Sequence, residues 1–256
     1  PSAFSRSGPG IWNVIKPEVV EYGGDAILTA NVPPDVQAGG GVPAACPELI
    51  RSTMFPPGPA YDRDATGTSF AAPKVARIAA QLQRVLPNEP ALLYRALIVQ
   101  SAQWPEWAEN LLERLRRTDP PLSNGEKQGL LDSAAEAIRC LGYGIPDSAR
   151  ATANTDHRLT LITTGETSIR AGECHIYQVP IPADLRGQAD EFEIRIDVTL
   201  SYVAQPRRTR RNLRRYLSTW VDWKSSKLGE GLNDFRIRAM TEADLDGDPL
   251  PGSALP

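Results

Sequence analysis

Gly67-Thr68-Ser69-Phe70-Ala71-Ala72-Pro73 sets one hydroxyl pair among small residues, where a proline- and glycine-rich stretch gives way to an apolar-periodic one. The pattern puts Ser69 at the start of a helix. A serine there sits at the positive end of the helix dipole, with unpaired backbone N–H groups close by. Such a place suits a nucleophile whose reaction develops a negative oxygen. Gly67 permits a close approach of backbone, and Ala71 and Ala72 leave the helix end uncrowded. Pro73 is expected within the first turn, where a missing N–H costs nothing. Taken as local structure alone, the same residues form an ordinary cap on an alanine-rich helix.

The segment matches every fixed position of Gly-Thr-Ser-x-Ala-x-Pro, and its flanks agree. Phe4-Ser5-Arg6-Ser7-Gly8 and Lys16-Pro17-Glu18-Val19-Val20 precede it; Leu97-Ile98-Val99-Gln100-Ser101-Ala102 and Gly142-Tyr143-Gly144 follow. Together these resemble the nucleophile region of the subtilases, the subtilisin-like serine peptidases, over roughly the first 150 residues. Glu18 stands where the family has aspartate, and Lys74 and Arg77 where it often has histidine and glycine. The resemblance implies an α/β fold with a parallel sheet and peptide-bond hydrolysis through an acyl-enzyme on Ser69. It also implies that the Ser69 backbone N–H contributes to the oxyanion hole, with Gly67 and Thr68 beside the substrate. No cofactor is implied, and no residue matches a family metal motif.

The family's triad runs Asp, His, Ser along the chain. No histidine precedes Ser69, and Asp25, Asp35, Asp62 and Asp64 lie outside a strand-then-Asp-x-Gly context. The asparagine of the family's oxyanion hole belongs before the Phe4 segment, whereas Asn13 and Asn31 fall after it. His157 and His175 lie in the later half and are expected at strand edges or loops. A serine without a base is a poor nucleophile near neutral pH. The chain therefore reads as the C-terminal part of a subtilisin-like catalytic domain, inactive alone, whose partners are the upstream part of that domain and a protein or peptide substrate. A parallel sheet lacking its earlier strands would leave an open edge, self-associate or rearrange ahead of Ser69.

Four helices are expected to position the serine. Val75, Ile78, Ala79, Leu82 and Leu86 give the first one face over 69–86, and Pro87 ends it. Helices over 90–102, 106–117 and 127–141 follow, the third with Trp107, Leu111, Leu112 and Leu115 as its stripe and the fourth stopped by Gly142. The region 104–133 reads as a helical insertion. After about Thr155 the texture changes. Residues 192–202 alternate apolar and polar, and 159–163, 175–181 and 216–223 are further strand candidates. The organisation expected is residues 1–153 as partial subtilisin-like parallel-sheet domain, 154–240 as antiparallel β-sandwich, and 241–256 as tail.

With 41% hydrophobic residues and a net charge of −3, the chain supports a packed core and shows no general pull toward nucleic acid. No apolar stretch is long enough to span a bilayer, and residues 1–10 lack the character of a signal peptide. Three cysteines, Cys46, Cys140 and Cys174, lack metal-ligand spacing and favour free thiols and a cytoplasmic setting. Arg207, Arg208, Arg210, Arg211, Arg214 and Arg215 read as a solvated loop. Asp244-Leu245-Asp246-Gly247-Asp248 fails as a calcium loop, because Pro249 replaces its glycine and Leu255 its glutamate. A reading from another class is a non-catalytic scaffold holding a protein partner through the β module and the arginine run.

Overall fold

The computed structural model describes residues 1–2, 4–10, 14–25, 50, 65–116, 121–163, 168–170, 173–179, 194–204, 221–227 and 229–245. Its contacts divide into two units, Pro1–Thr164 with Asp197–Ser201, and Gly165–Ile196 with Tyr202–Pro256.

In the first unit the sequence periodicities produce α1 (Thr68–Val85), α2 (Ala91–Ser101), α3 (Glu106–Arg116) and α4 (Asn124–Leu141), followed by the short α5 (Ser148–Thr152). Proline bounds two of them: Pro87 follows the end of α1, and Pro90 is the N-cap of α2. Ser123 and Glu126 start α4 with a reciprocal capping box, in which the Ser123 hydroxyl accepts from the Glu126 N–H and the Glu126 carboxylate accepts from the Ser123 N–H. That cap sets the start of α4 three residues ahead of the apolar pattern. Gly142 closes it at φ 57°, in the left-handed region that favours glycine, its N–H donating to the Ile138 carbonyl. Asp147 caps α5, too short for its period to be visible in sequence, by accepting from the Arg150 N–H.

Two apolar clusters hold these helices. Ile78 and Leu82 of α1, Leu97 of α2 and Ala151 of α5 are buried together, with Leu86, Leu93, Tyr94 and Ile98 packed around them. Burying a side chain such as Leu82, fully enclosed here, contributes about 1.5–3 kcal/mol. Ala108, Ala137 and Leu141 form the second cluster, between α3 and α4, joined by Val20, Trp104 and Leu111. Of the expected α3 stripe, Leu111, Leu112 and Leu115 are half-buried and Trp107 alone departs. Trp107 is 55% exposed and Ala108 is enclosed, because Trp104, one turn earlier, takes the large-residue place and donates its indole N–H to the Gly142 carbonyl at 2.9 Å.

The expected sheets are corrected. Among the described residues there is no β-strand, only the isolated bridges Ile50–Ala65, Gln103–Ile145 and Thr155–Arg158. The antiparallel β-sandwich expected over 154–240 is therefore not formed there, and neither is a parallel sheet. Ile194, Ile196, Val198 and Leu200, the apolar half of the clearest alternation, are all exposed. Alternation supplies a face, but a strand is stabilised only by a ladder and a covering layer. The described parts of 159–163, 175–181 and 216–223 have no regular structure either. Instead the second unit forms α6 (Leu232–Leu245), which takes in residues expected as strand module and tail. There Arg238 pairs with Glu230 and donates to the Ser225 carbonyl. Cys46, the arginine run and 246–256 lie outside the described residues. No described helix is long and apolar enough to cross a membrane.

Candidate functional site

The chain turns into α1 at Gly67, whose φ of 152° and ψ of 156° suit a residue without a side chain. Gly67 is the N-cap residue, and no side chain caps the helix. Thr68 and Ser69 open the first turn, and both are exposed. The Phe70 N–H donates to the Gly67 carbonyl at 3.0 Å. Among the described residues, nothing accepts from the Ser69 N–H and no partner binds its hydroxyl. Pro73 lies inside α1 rather than at its first position. Having no N–H, it leaves the carbonyl of Ser69, four residues earlier, without its helical donor. Ser69 thus lies in the first turn of α1, with a backbone N–H that has no partner among the described residues.

What fixes that turn is the segment 18–24. At its start, the Glu18 carbonyl accepts from the Tyr143 N–H at 2.8 Å, and the Val20 N–H donates to the Gly144 carbonyl at 2.9 Å. Gly142 and Gly144 are required there, since a Cβ on either would strike the backbone of Pro17 or of Gln103, respectively. At its end, the Gly23 carbonyl accepts from the Gly67 N–H at 2.8 Å. Gly23 is buried, and a Cβ on it would lie 2.5 Å from the Gly67 carbonyl oxygen. Next to it, the Tyr22 carbonyl accepts from Lys74 Nζ of α1 at 2.7 Å. Lys74 Nζ also lies 3.9 Å from Glu21 Oε1 and 5.9 Å from the centre of the Tyr22 ring. The Tyr22 N–H in turn donates to the Glu21 carboxylate at 2.8 Å.

Glu18 joins the same segment to α2 through a two-pronged pair with Arg95, and lies 3.2 Å from Lys16. Burial pushes the Glu18 carboxyl up, but the hydrogen bonds from Arg95 and Lys16 and their charges outweigh it and hold it below the usual range. The bond to Glu18 raises Arg95. Tyr143 is raised by burial first and by the Glu18 charge second. A cleft of about 300 Å³ opens between α1 and α2, with Glu18 and Val19 on its third side and an apolar lining. Ser69 does not line it.

Gly67, Thr68 and Ser69 thus lie together at the α1 N-terminus. His157 and His175 are exposed; His157 makes no bond with Ser69, and His175 meets Tyr177 edge-on, ring centres 6.4 Å apart. Asp35, Asp62, Asp64, Asn13 and Asn31 lie outside the described residues. Lys74 and the Glu18–Arg95 pair are additions that sequence reasoning did not supply. The Lys16-Pro17-Glu18 resemblance marked the segment, but no local spacing links residue 18 to 95 or 22 to 74.

The chain belongs to the subtilase family, a family of serine-type peptidases, whose description matches residues 1–144. It is also 32% identical over 215 residues to an uncharacterized protein of Sinorhizobium fredii, y4bN, with 82% of this chain and 43% of that protein aligned. The chain thus spans less than half the length of that relative. No solved structure matches it.

Proposed function

We propose that Ser69 is the nucleophile of a subtilisin-like serine endopeptidase. The observation that carries the reading is the family's nucleophile motif, complete over 67–73, set on the first turn of α1 with its serine exposed. In the proposed reaction Ser69 Oγ attacks the peptide carbonyl while a histidine base takes its proton. The tetrahedral oxyanion accepts from the Ser69 N–H, which has no partner among the described residues. As that intermediate collapses the protonated histidine returns its proton to the departing amine, leaving an acyl-enzyme that water hydrolyses. Gly67 and Thr68 lie beside the substrate. By the family's order a histidine base and an orienting aspartate precede the serine; no histidine precedes Ser69 in this chain, so the proposed reaction draws its base from outside these residues. The isolated chain is accordingly inactive. The test is Ser69→Ala in a polypeptide that also carries the upstream histidine and aspartate. Peptide hydrolysis should be abolished; retained hydrolysis refutes the assignment.

A further inference from the structure

We propose that Lys74 is a positioning residue for Ser69, acting as a side-chain clamp between α1 and the segment ahead of it. The proposal rests on Ser69 being the nucleophile. The turn that carries Ser69 is tied to the segment at two adjacent carbonyls. Gly23 receives the Gly67 N–H at 2.8 Å, and Tyr22 receives Lys74 Nζ at 2.7 Å. Ser69 lies in sequence between the two donors, so these bonds bracket it. The backbone bond alone ties the first turn of α1 to the segment at a single point. A second bond, from the next turn of the helix, ties it at another. Glu21 keeps Lys74 in place: its carboxylate lies 3.9 Å from Nζ and also accepts from the Tyr22 N–H, so ammonium, carboxylate and Tyr22 backbone form one connected set. A charged donor on a carbonyl makes a stronger hydrogen bond than a neutral one. Displacing a reacting group by even an ångström slows chemistry severely, so the clamp acts on rate more than on folding.

Two readouts test this. Hydrogen exchange on the 256-residue chain reads the clamp without chemistry. Lys74→Met, which keeps the length of the stem, should raise exchange in a peptide spanning 67–72 about tenfold, and Lys74→Arg should restore protection; unchanged exchange overturns the clamp. Fluorophosphonate labelling of Ser69, in the polypeptide with the upstream residues, reads positioning. Lys74→Met should slow the maximal labelling rate about tenfold with the probe's half-saturating concentration unchanged, and Lys74→Arg should recover it. Faster exchange with an unchanged labelling rate overturns the positioning role. If the unsubstituted protein fails to label at Ser69, the nucleophile reading falls, an outcome distinct from failure of the clamp because exchange is measured independently.

Discussion

Replacing Gly23 with alanine puts the described packing to a quantitative test. The new Cβ would lie 2.5 Å from the Gly67 carbonyl oxygen and 3.5 Å from Ala71 Cβ, at a buried position. Close-packed interiors do not accommodate a carbon at the first distance, so the segment and the α1 turn must separate by roughly half an ångström. Overpacking of this kind costs about 1–3 kcal/mol. The Gly67–Gly23 hydrogen bond lies on the same contact, and weakening it adds about 1 kcal/mol. Against this, alanine restricts the unfolded chain and returns about 0.4–1 kcal/mol. The net is a destabilisation of about 2 kcal/mol. Gly129 is the internal control: it lies inside α4, and a Cβ there meets nothing within 4 Å. Gly129→Ala should stabilise by about 0.5–1 kcal/mol through helix propensity alone. With a urea slope of about 2 kcal/mol/M, the midpoint followed by circular dichroism should fall about 1 M for Gly23→Ala and rise by about 0.3–0.5 M for Gly129→Ala. A Gly23→Ala midpoint that is unchanged or raised refutes the close approach of Gly23 to Gly67.

Further expectations concern the helix ends and charges. Ser123→Ala removes the capping box of α4 and should cost about 1 kcal/mol in urea or thermal unfolding. In the second unit, the hydrogen bond from Arg238 lowers the Glu230 carboxyl to about 2. A depressed carboxylate contributes stability that is complete above its unfolded value, about 4.3, and is lost as the pH falls toward the folded one. Helicity of α6 should accordingly fade with acidification between those limits. Arg238→Met should weaken that pH dependence, leaving the part due to the Lys227 N–H, and an unchanged acid titration would count against the pair.

The frame of α1 to α4 was legible because each of these helices carries its own period and stop signals within its own length. Pro87, Pro90 and Gly142 fix ends, and Ile78, Leu82 and Leu97 fix buried faces. In α3 the leucines of the expected stripe are half-buried and Trp107 alone was misassigned, Trp104 ahead of the helix being the tryptophan that packs on the cluster. The β module failed for a physical reason of another kind. Alternation over 194–200 states which side chains share a face, whereas a strand is stabilised by ladder partners, and no ladder is made among the described residues. At the candidate site, Gly67, Thr68 and Ser69 were visible as a local motif. Lys74 on Tyr22 and Arg95 on Glu18 were not, because they join residues 52 and 77 positions apart. Gly23, whose missing side chain admits Gly67 44 positions away, carries no local signal of that contact.

The most direct measurement is the intact mass of the protein after exposure to a fluorophosphonate, with any adduct mapped by peptide sequencing. In the polypeptide bearing the upstream histidine and aspartate, one adduct is expected, on Ser69, and none on the isolated chain or on the Ser69→Ala variant. An adduct on another serine, or none in the longer polypeptide, would contradict the assignment of Ser69 as nucleophile.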